Sequence, residues 1–272
     1  MELYYLNSEG EKLDFTKPPY VPRDISELLD YEWGYESEGD GITGFTKEMA
    51  ELSIVLNVFA DDEETYLKAC DRLFTITEKD VIKNAKGRLY YNGQYVLCNL
   101  IGSTKKDWCM GVSFHLCHMR LITDRPVWIK EKEYIFKYSN ITSTNNKNYP
   151  LKYPYRYANG MKIVNVQNDA IDSAHFMLRF YGPAVNPMIT IAGNPYTVHA
   201  VVEAGEYIEI NSLKKTVIKK MITGTEVNLF HYKGKNLFRK ILPGQHVVQC
   251  GNFDFDLTLF EERSEPRWQS SE

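Results

Sequence analysis

The sequence predicts a mainly β protein with one long helix, arranged as two domains. Three observations point to this class. Apolar and polar residues alternate with the period of a strand through most of the chain, whereas only one segment has apolar residues at helical spacing. A polar run near the middle separates the half that contains the helix from a half in which turn residues recur at short intervals.

A strand followed by the helix is the clearest feature of the amino-terminal half. Residues 51–60 are predicted to form a strand with one buried face, because every second position is apolar: Leu52, Ile54, Leu56 and Val58. The helix is predicted to begin at Asp61, since acidic residues in a first turn oppose the helix dipole. Its buried face is expected to comprise Tyr66, Cys70, Leu73 and Phe74.

Two further strands and a second alternating segment follow the helix. Asn92-Gly93 lies between apolar runs and favours a type I′ hairpin, because both residues tolerate positive φ. Residues 107–123 then alternate, which places one set of side chains on each face of a predicted strand. The two sets are Val112, Phe114, Leu116 and His118, and Ser113, His115, Cys117 and Met119.

The domain boundary is predicted within residues 140–150, which are rich in Ser, Thr and Asn. Such a run cannot bury enough apolar surface to form a core element. We therefore expect a domain over residues 1–140, a linker over 141–150 and a second domain over 151–272. Regular turn signals in the second domain predict an all-β sandwich.

The opening of the second domain has the most distinct pattern. Phe176, Leu178 and Phe180 alternate with Met177, Arg179 and Tyr181, as expected for a half-buried strand. Gly182-Pro183 should end this strand, because proline cannot donate a ladder hydrogen bond. Asn186-Pro187 predicts a turn, and residues 188–191 predict the next strand.

Length and charge limit the classes of function. A chain of 272 residues is long enough for two domains, each with its own core. Residues 1–100 hold 20 acidic and 10 basic side chains, and residues 101–272 hold 16 and 22. An acidic amino-terminal half argues against a nucleic-acid binder. No apolar run approaches the roughly 18 residues of a membrane span, and the first residues lack the pattern of a secretory signal, so we expect synthesis in a cytoplasm.

Candidate metal and catalytic groups are weak. The five cysteines have irregular spacing, which predicts reduced thiols rather than a disulfide framework: Cys70, Cys98, Cys109, Cys117 and Cys250. A zinc set of Cys98, Cys109, Cys117 and His118 lacks the spacing of structural zinc sites. Gly39-Asp40-Gly41 lacks the lysine of a phosphate loop, and no catalytic motif is present. The sequence therefore predicts no catalytic, cofactor-binding or metal-binding residues, and no cofactor.

Two sets of residues leave ligand binding open. Asp254 and Asp256 could serve a glycosidase, but acids on one face of an edge strand more often deter edge pairing. Tyr153, Tyr155 and Tyr157 alternate, which would align three rings as a glycan platform or a protein interface. The interface is the favoured interpretation.

A set of motifs resembles the distal tail proteins of siphophages. In the first half these are the order strand, helix, hairpin, strand, and the step TDRPVW at residues 123–128. In the second half they are VNVQNDAIDSAHFMLRFYGPAVNP at 164–187, GEYIEINSLKKTV at 205–217, LPGQHVVQC at 242–250 and FEERSEPRW at 260–268. The chain departs from the family at Asn168-Asp169, where a Gly-Asp turn is usual. Residues 32–40 resemble a local insertion.

The resemblance implies a non-enzymatic virion protein at the distal end of a long non-contractile tail. It implies a hexameric ring whose amino-terminal domains surround a channel, with carboxy-terminal galectin-like β-sandwiches as docking platforms. The implied partners are the tail tube protein, the tail-tip protein and receptor-binding or baseplate proteins, with no membrane contact. A ring of this kind needs two different complementary patches on each subunit, and an acidic lumen would let DNA pass without binding.

Two other classes of function stay open from the sequence. One is a carbohydrate-binding module of the tail tip that recognises the host. The other is a tail-tip enzyme such as a peptidoglycan hydrolase, which would need a cluster of acid, base or metal-binding side chains that the motifs do not indicate.

Overall fold

The computed structural model describes residues 2–138 and 162–268. Contacts divide the chain into two compact units: Met1–Lys130 with Arg263–Glu272, and Glu131–Glu262. This division differs from the predicted boundaries at both ends of the second unit. The predicted linker over residues 141–150 and the three alternating tyrosines lie outside the described residues, so both stay predictions.

Unit 1 contains one antiparallel sheet, a separate hairpin and the helix. Its elements are β1 (Leu3–Leu6), β2 (Lys12–Asp14), β3 (Tyr20–Asp24), a short 3-10 helix (Ser26–Leu28), β4 (Gly34–Glu38), β5 (Gly41–Thr46), β6 (Ala50–Phe59), α1 (Glu63–Ile82), β7 (Gly87–Tyr91), β8 (Gln94–Lys106) and β9 (Phe114–Thr123). The sheet has the order β2-β1-β7-β8-β9-β6-β3. Long β8 makes this possible, since its first part pairs with β7 and its second part with β9.

The predicted helix is confirmed, with one correction to its buried face. Asp62 is the N-cap, and its carboxylate accepts a hydrogen bond of 2.8 Å from the Thr65 amide. The side chains that α1 buries include Tyr66, Ala69, Leu73 and Ile76, and extend to Thr77 and Asp80. Phe74 is not part of this buried face. It is 62% exposed, so the prediction for that residue was wrong. No helix of the described residues is long and apolar enough to cross a membrane.

The strand and hairpin predictions for unit 1 are confirmed. Strand β6 buries Ile54, Leu56 and Val58 completely. Asn92 and Gly93 join β7 to β8 with φ of 47° and 74°, the positive values that a type I′ turn requires. Strand β9 starts at Phe114, later than the alternation suggests, so Val112 and Ser113 lie in the loop before it.

Unit 2 is a two-sheet sandwich. Its strands are the second part of β10 (Trp128–Phe136), β11 (Lys162–Asn168), β12 (His175–Tyr181), β13 (Ala184–Val185), β14 (Met188–Ile191), β15 (Asn194–Thr197), β16 (Val201–Val202), β17 (Tyr207–Asn211), β18 (Thr216–Lys220), β19 (Glu226–Asn228), β20 (Gly244–Cys250) and β21 (Phe255–Arg263). One sheet has the order β19-β18-β17-β12-β21-β10, and the other β11-β20-β14-β15. Side chains from both sheets form one core.

The alternation that predicted the second domain is confirmed in β12. Phe176, Leu178 and Phe180 are fully buried between β17 and β21. The chain leaves β12 at Gly182, turns at Asn186 and enters β14 at Met188. The mainly β class with one helix is therefore confirmed for the described residues, 2–138 and 162–268.

Candidate assembly surfaces

The residues considered for a zinc site do not come together as one. Cys98 and Cys117 are buried, and burial raises the pKa of the Cys98 thiol to about 12. Cys109 is exposed in a loop, and His118 is half-buried on the face of β9 opposite Cys117. Within the described ranges, no group of three or more His, Cys, Asp or Glu side chains could hold a metal ion.

The other weak candidates have structural explanations. Gly39-Asp40-Gly41 forms the tip of the β4–β5 hairpin and precedes a strand. The edge-strand explanation for the two aspartates was wrong, because Asp256 is in β21, which lies between β12 and β10, and Asp254 precedes this strand. Asp256 accepts a hydrogen bond of 2.5 Å from the Tyr181 hydroxyl, and Asp254 accepts one of 2.6 Å from the Tyr138 amide.

The β4–β5 hairpin and its flanks expose an unusual number of large apolar side chains. We call this set the hairpin patch: Tyr31, Trp33, Tyr35, Ile42, Phe45 and Met49. Each of them is at least 46% exposed. Lys47 crosses the patch with its ammonium 4.8 Å from the centre of the Trp33 ring. Exposed large apolar side chains concentrated in one hairpin and its flanks are typical of a binding interface.

A groove of about 540 Å³ lies beside the base of this hairpin, and we call it the acidic groove. Its apolar lining includes Leu28, Met49, Leu52, Val96 and Trp128. Four carboxylates line it as well: Asp30, Glu32, Glu48 and Glu51. The described lining contains no lysine or arginine. Glu51 is held by Arg120 at 2.9 Å, whereas Glu32 and Glu48 are exposed in the lining of the groove.

The β8–β9 loop, taken together with the last two residues of β8 as residues 105–113, combines positive charge with exposed apolar side chains. Lys105 and Lys106 end β8, and Trp108, Met110 and Val112 follow with exposures of 55%, 88% and 50%. The loop has internal order, because the Val112 amide donates to the Cys109 carbonyl at 3.2 Å.

A buried histidine lies at the start of β9, directly after this loop. His115 is 1% exposed, and its Nδ1 lies 2.7 Å from the Tyr66 hydroxyl. Its Nε2 is buried and has no hydrogen-bond partner among the described residues. Burial, and secondarily the positive charge of Lys105, lowers the pKa of His115 below 6.5. The imidazole is therefore neutral in the folded protein at neutral pH.

We expect His115 to make unit 1 less stable in mild acid. The unfolded chain takes up a proton at this residue near the ordinary pKa of 6.5, whereas the fold resists it. The contribution of neutral His115 to the free energy of unfolding is therefore fully present above pH 6.5, and it is lost as the pH falls through 6.5 towards the lowered pKa. Denaturant unfolding between pH 5 and 8 should show this loss. The substitution His115→Asn should make the free energy of unfolding depend less on pH. His118→Asn, on the opposite face of β9, is the control and should keep the pH dependence of the wild type.

Unit 2 has a cleft of its own. It measures about 490 Å³ and lies between the β13–β14 turn and the segment after β20. Its polar lining is uncharged, with amides from Asn186, Gln249 and Asn252, and its apolar lining includes Met188 and Phe253. Neutral amides beside apolar surface can bind a peptide backbone or sugar hydroxyls.

Sequence reasoning missed both surfaces of unit 1. Residues 32–40 resemble an insertion in the sequence, although Trp33, Tyr35, Ile42 and Phe45 provide a signal of a surface: they are large apolar side chains in a segment rich in glycine and acids. The alternation of residues 107–123 predicts a strand, whereas the structure has a loop before β9. The glycine at position 111 is the feature of the sequence that indicates this loop.

Comparison with known proteins shows the fold. No sequence-family model matches the chain, and no curated protein sequence does. The hub protein Dit of phage SPP1, from the adsorption apparatus of phages that infect Gram-positive bacteria, is similar in structure, with a TM-score of 0.54 at 12% identity over 97% of this chain and 100% of that one.

Two structures of the phage P2 baseplate in its activated conformation are also similar. The chain from the calcium form has a TM-score of 0.62 at 14% identity, covering 98% of this chain and 100% of its own length. The chain from the strontium form has a TM-score of 0.62 at 14% identity, covering 97% and 99%. The resemblance seen in the sequence motifs is thus confirmed at the level of the fold. The chain has the fold of phage tail hub and baseplate proteins.

Proposed function

We propose that this chain is a structural component of a long non-contractile phage tail. In this proposal six copies form a ring, the distal tail hub, which joins the tail tube to the tail tip and docks receptor-binding or baseplate proteins. The protein is made in the host cytoplasm, ends in the virion, and performs no catalysis.

The coverage of the structural likeness supports this proposal most directly. The SPP1 hub protein and the P2 baseplate chains match this chain over at least 97% of its length and over almost all of their own. An isolated shared sandwich would match one unit only. Agreement over the whole chain favours a protein with the same two parts, and therefore the same kind of place in a tail.

The exposed surfaces of unit 1 are consistent with assembly. A closed ring needs two different patches on each copy, because each subunit contacts its two neighbours through unlike surfaces. The hairpin patch with its acidic groove and the β8–β9 loop are two such surfaces. The acidic balance of residues 1–100 fits a channel through which DNA passes without binding.

Unit 2 is proposed to be the docking platform for peripheral tail proteins. Its cleft between β13–β14 and β20 is the concave surface available for a partner. The uncharged amides of this cleft also suit sugar hydroxyls, so a carbohydrate-binding module that recognises the host is the alternative. Binding of cell-wall glycans by the whole protein, lost in Gln249→Ala, would favour that alternative.

The oligomeric state tests the proposal. Light scattering and negative-stain imaging should show six-fold rings, either alone at high concentration or after addition of the neighbouring tail proteins. The interfaces of such a ring are expected to bury more than about 1,000 Å² each. A protein that stays monomeric under all these conditions is not a ring hub.

A further inference from the structure

We propose that the β8–β9 loop of one copy docks in the acidic groove of the next copy. These two surfaces then form the repeated contact that closes the ring. The inference rests on the proposed ring function and identifies the residues that build it.

The positions of the two surfaces exclude contact within one chain. Strands β6 and β9 pair along their full lengths, with Ala50 opposite Thr123 at one end and Phe59 opposite Phe114 at the other. The groove is lined by residues 48–52, at the first end, and the loop enters β9 at the second. Nine residue steps of about 3.3 Å separate the ends by about 30 Å. The loop cannot reach the groove of its own chain, so any contact between these two surfaces joins two copies.

Charge favours this pairing. The loop carries Lys105 and Lys106 on exposed positions beside a single acid, Asp107. The groove presents Glu32 and Glu48, together with Asp30 and Glu51, and the Lys47 ammonium lies 3.2 Å from the carbonyl of its lining residue Pro126, so acids outnumber bases there. Opposite charges on two surfaces of one chain bring unlike ends of different copies together and disfavour contact between like ends.

Apolar surface on both sides supplies the driving force. Trp108 and Met110 are exposed in the loop, and the groove offers Met49, Leu52 and Trp128. A volume of about 540 Å³ lies within the range of about 300–1,000 Å³ that holds drug-sized groups, so two large side chains can enter. The hydrogen bond within the loop, from the Val112 amide to the Cys109 carbonyl, restricts its backbone before it binds and so reduces the entropy lost on docking.

The direction of the contact explains ring closure. Each copy has its loop at one end of the β6–β9 pair and its groove at the other, so contacts run head to tail. A contact of this type closes into a ring when the rotation between copies brings the last copy back to the first, and gives an open filament when it does not. One loop and one groove per subunit then satisfy every interface of the ring.

Charge reversal provides the sharpest test. In variant L, Lys105→Glu and Lys106→Glu change the loop; in variant G, Glu32→Lys and Glu48→Lys change the groove. Each variant alone places like charges together and should lower the ring population about ten-fold or more under conditions in which the wild type forms rings. An equal mixture should restore rings, because every loop then meets a groove of opposite charge when the two variants alternate.

Lys214→Glu with Lys215→Glu is the matched control. These residues are also an exposed, adjacent lysine pair, but they lie in unit 2. This variant has the same net charge as variant L and should form rings like the wild type. Tryptophan fluorescence and circular dichroism of all variants check that they are folded.

The exposed Cys109 allows an independent measurement. Met49→Cys places a second thiol in the groove, so mild oxidation should link neighbouring copies into a covalent ladder that ends at the hexamer. Met49→Cys combined with Cys109→Ser should give no ladder. The products of both variants are separated on non-reducing gels.

The outcomes separate the inference from the proposed function. If the wild type forms rings and variants L and G also form them, the loop and groove are not the contact, while the ring function stands. If variant L keeps its rings but loses a tail partner, the loop binds that partner instead and the inference fails. If the wild type forms no ring under any condition, both fail.

Discussion

Replacing Asp80 with alanine is expected to destabilise unit 1 by about 2–5 kcal/mol, because two hydrogen-bond donors lose their acceptor at about 1–3 kcal/mol each. Asp80 lies on α1 and is fully buried. One carboxylate oxygen accepts a hydrogen bond of 2.5 Å from the Tyr5 hydroxyl, and the other accepts one of 2.9 Å from the Ser8 amide. Alanine would leave the Tyr5 hydroxyl without its partner in a site that is closed to water.

The atoms around Tyr5 and Asp80 are tightly packed. Tyr5 is fully buried, and burial together with its hydrogen bond to Asp80 raises the pKa of its hydroxyl, so it stays protonated and donates. A Cβ atom at Gly87 would lie 2.1 Å from the Tyr5 hydroxyl oxygen and 2.6 Å from the carboxylate. The helix, the first strand and β7 therefore meet at one point.

Tryptophan fluorescence measures this effect in unit 1 alone, because all four tryptophans lie in it: Trp33, Trp108, Trp128 and Trp268. The denaturant midpoint should fall sharply for Asp80→Ala. Asp71→Ala, which removes an exposed carboxylate from the same helix, should change it little. Equal midpoints for the wild type and Asp80→Ala would show that the cluster contributes nothing to stability.

Replacing Gly182 with alanine is expected to prevent unit 2 from folding normally, with a loss of at least about 3 kcal/mol. Gly182 follows β12, and its amide donates to the Glu206 carbonyl at 3.0 Å. An added Cβ would lie 1.9 Å from the Glu203 carbonyl oxygen and 2.8 Å from that of Val202. These are backbone atoms, so the clash cannot be relieved by a side-chain rotation.

Circular dichroism and limited proteolysis test this second prediction. Gly182→Ala should lose part of its strand signal or melt at lower temperature, and new cleavage sites should map within residues 131–262. Gly41→Ala is the control, because the nearest atom to an added Cβ there is 3.9 Å away. A Gly182→Ala protein that resists protease as well as the control does would contradict the expected clash.

Local patterns in the sequence determined the main elements. The alternation in β6 and β12, the acidic start of α1 and the Asn92-Gly93 turn each depend on a few neighbouring residues. Periodicity and turn chemistry act over that range, so the sequence by itself predicted a mainly β chain with one helix. The quoted motifs also indicated the fold that the structural comparisons show.

Tertiary structure decided the buried face of α1, the place of β21 and the two surfaces of unit 1. Whether Phe74 or Ile76 is buried depends on which strands cover the helix, and whether Asp256 is on an edge depends on which strand lies beyond β21. The β8–β9 loop and the acidic groove are far apart in sequence and lie at opposite ends of one strand pair. Their separation follows from register, which is set by pairing between distant segments and not by local pattern.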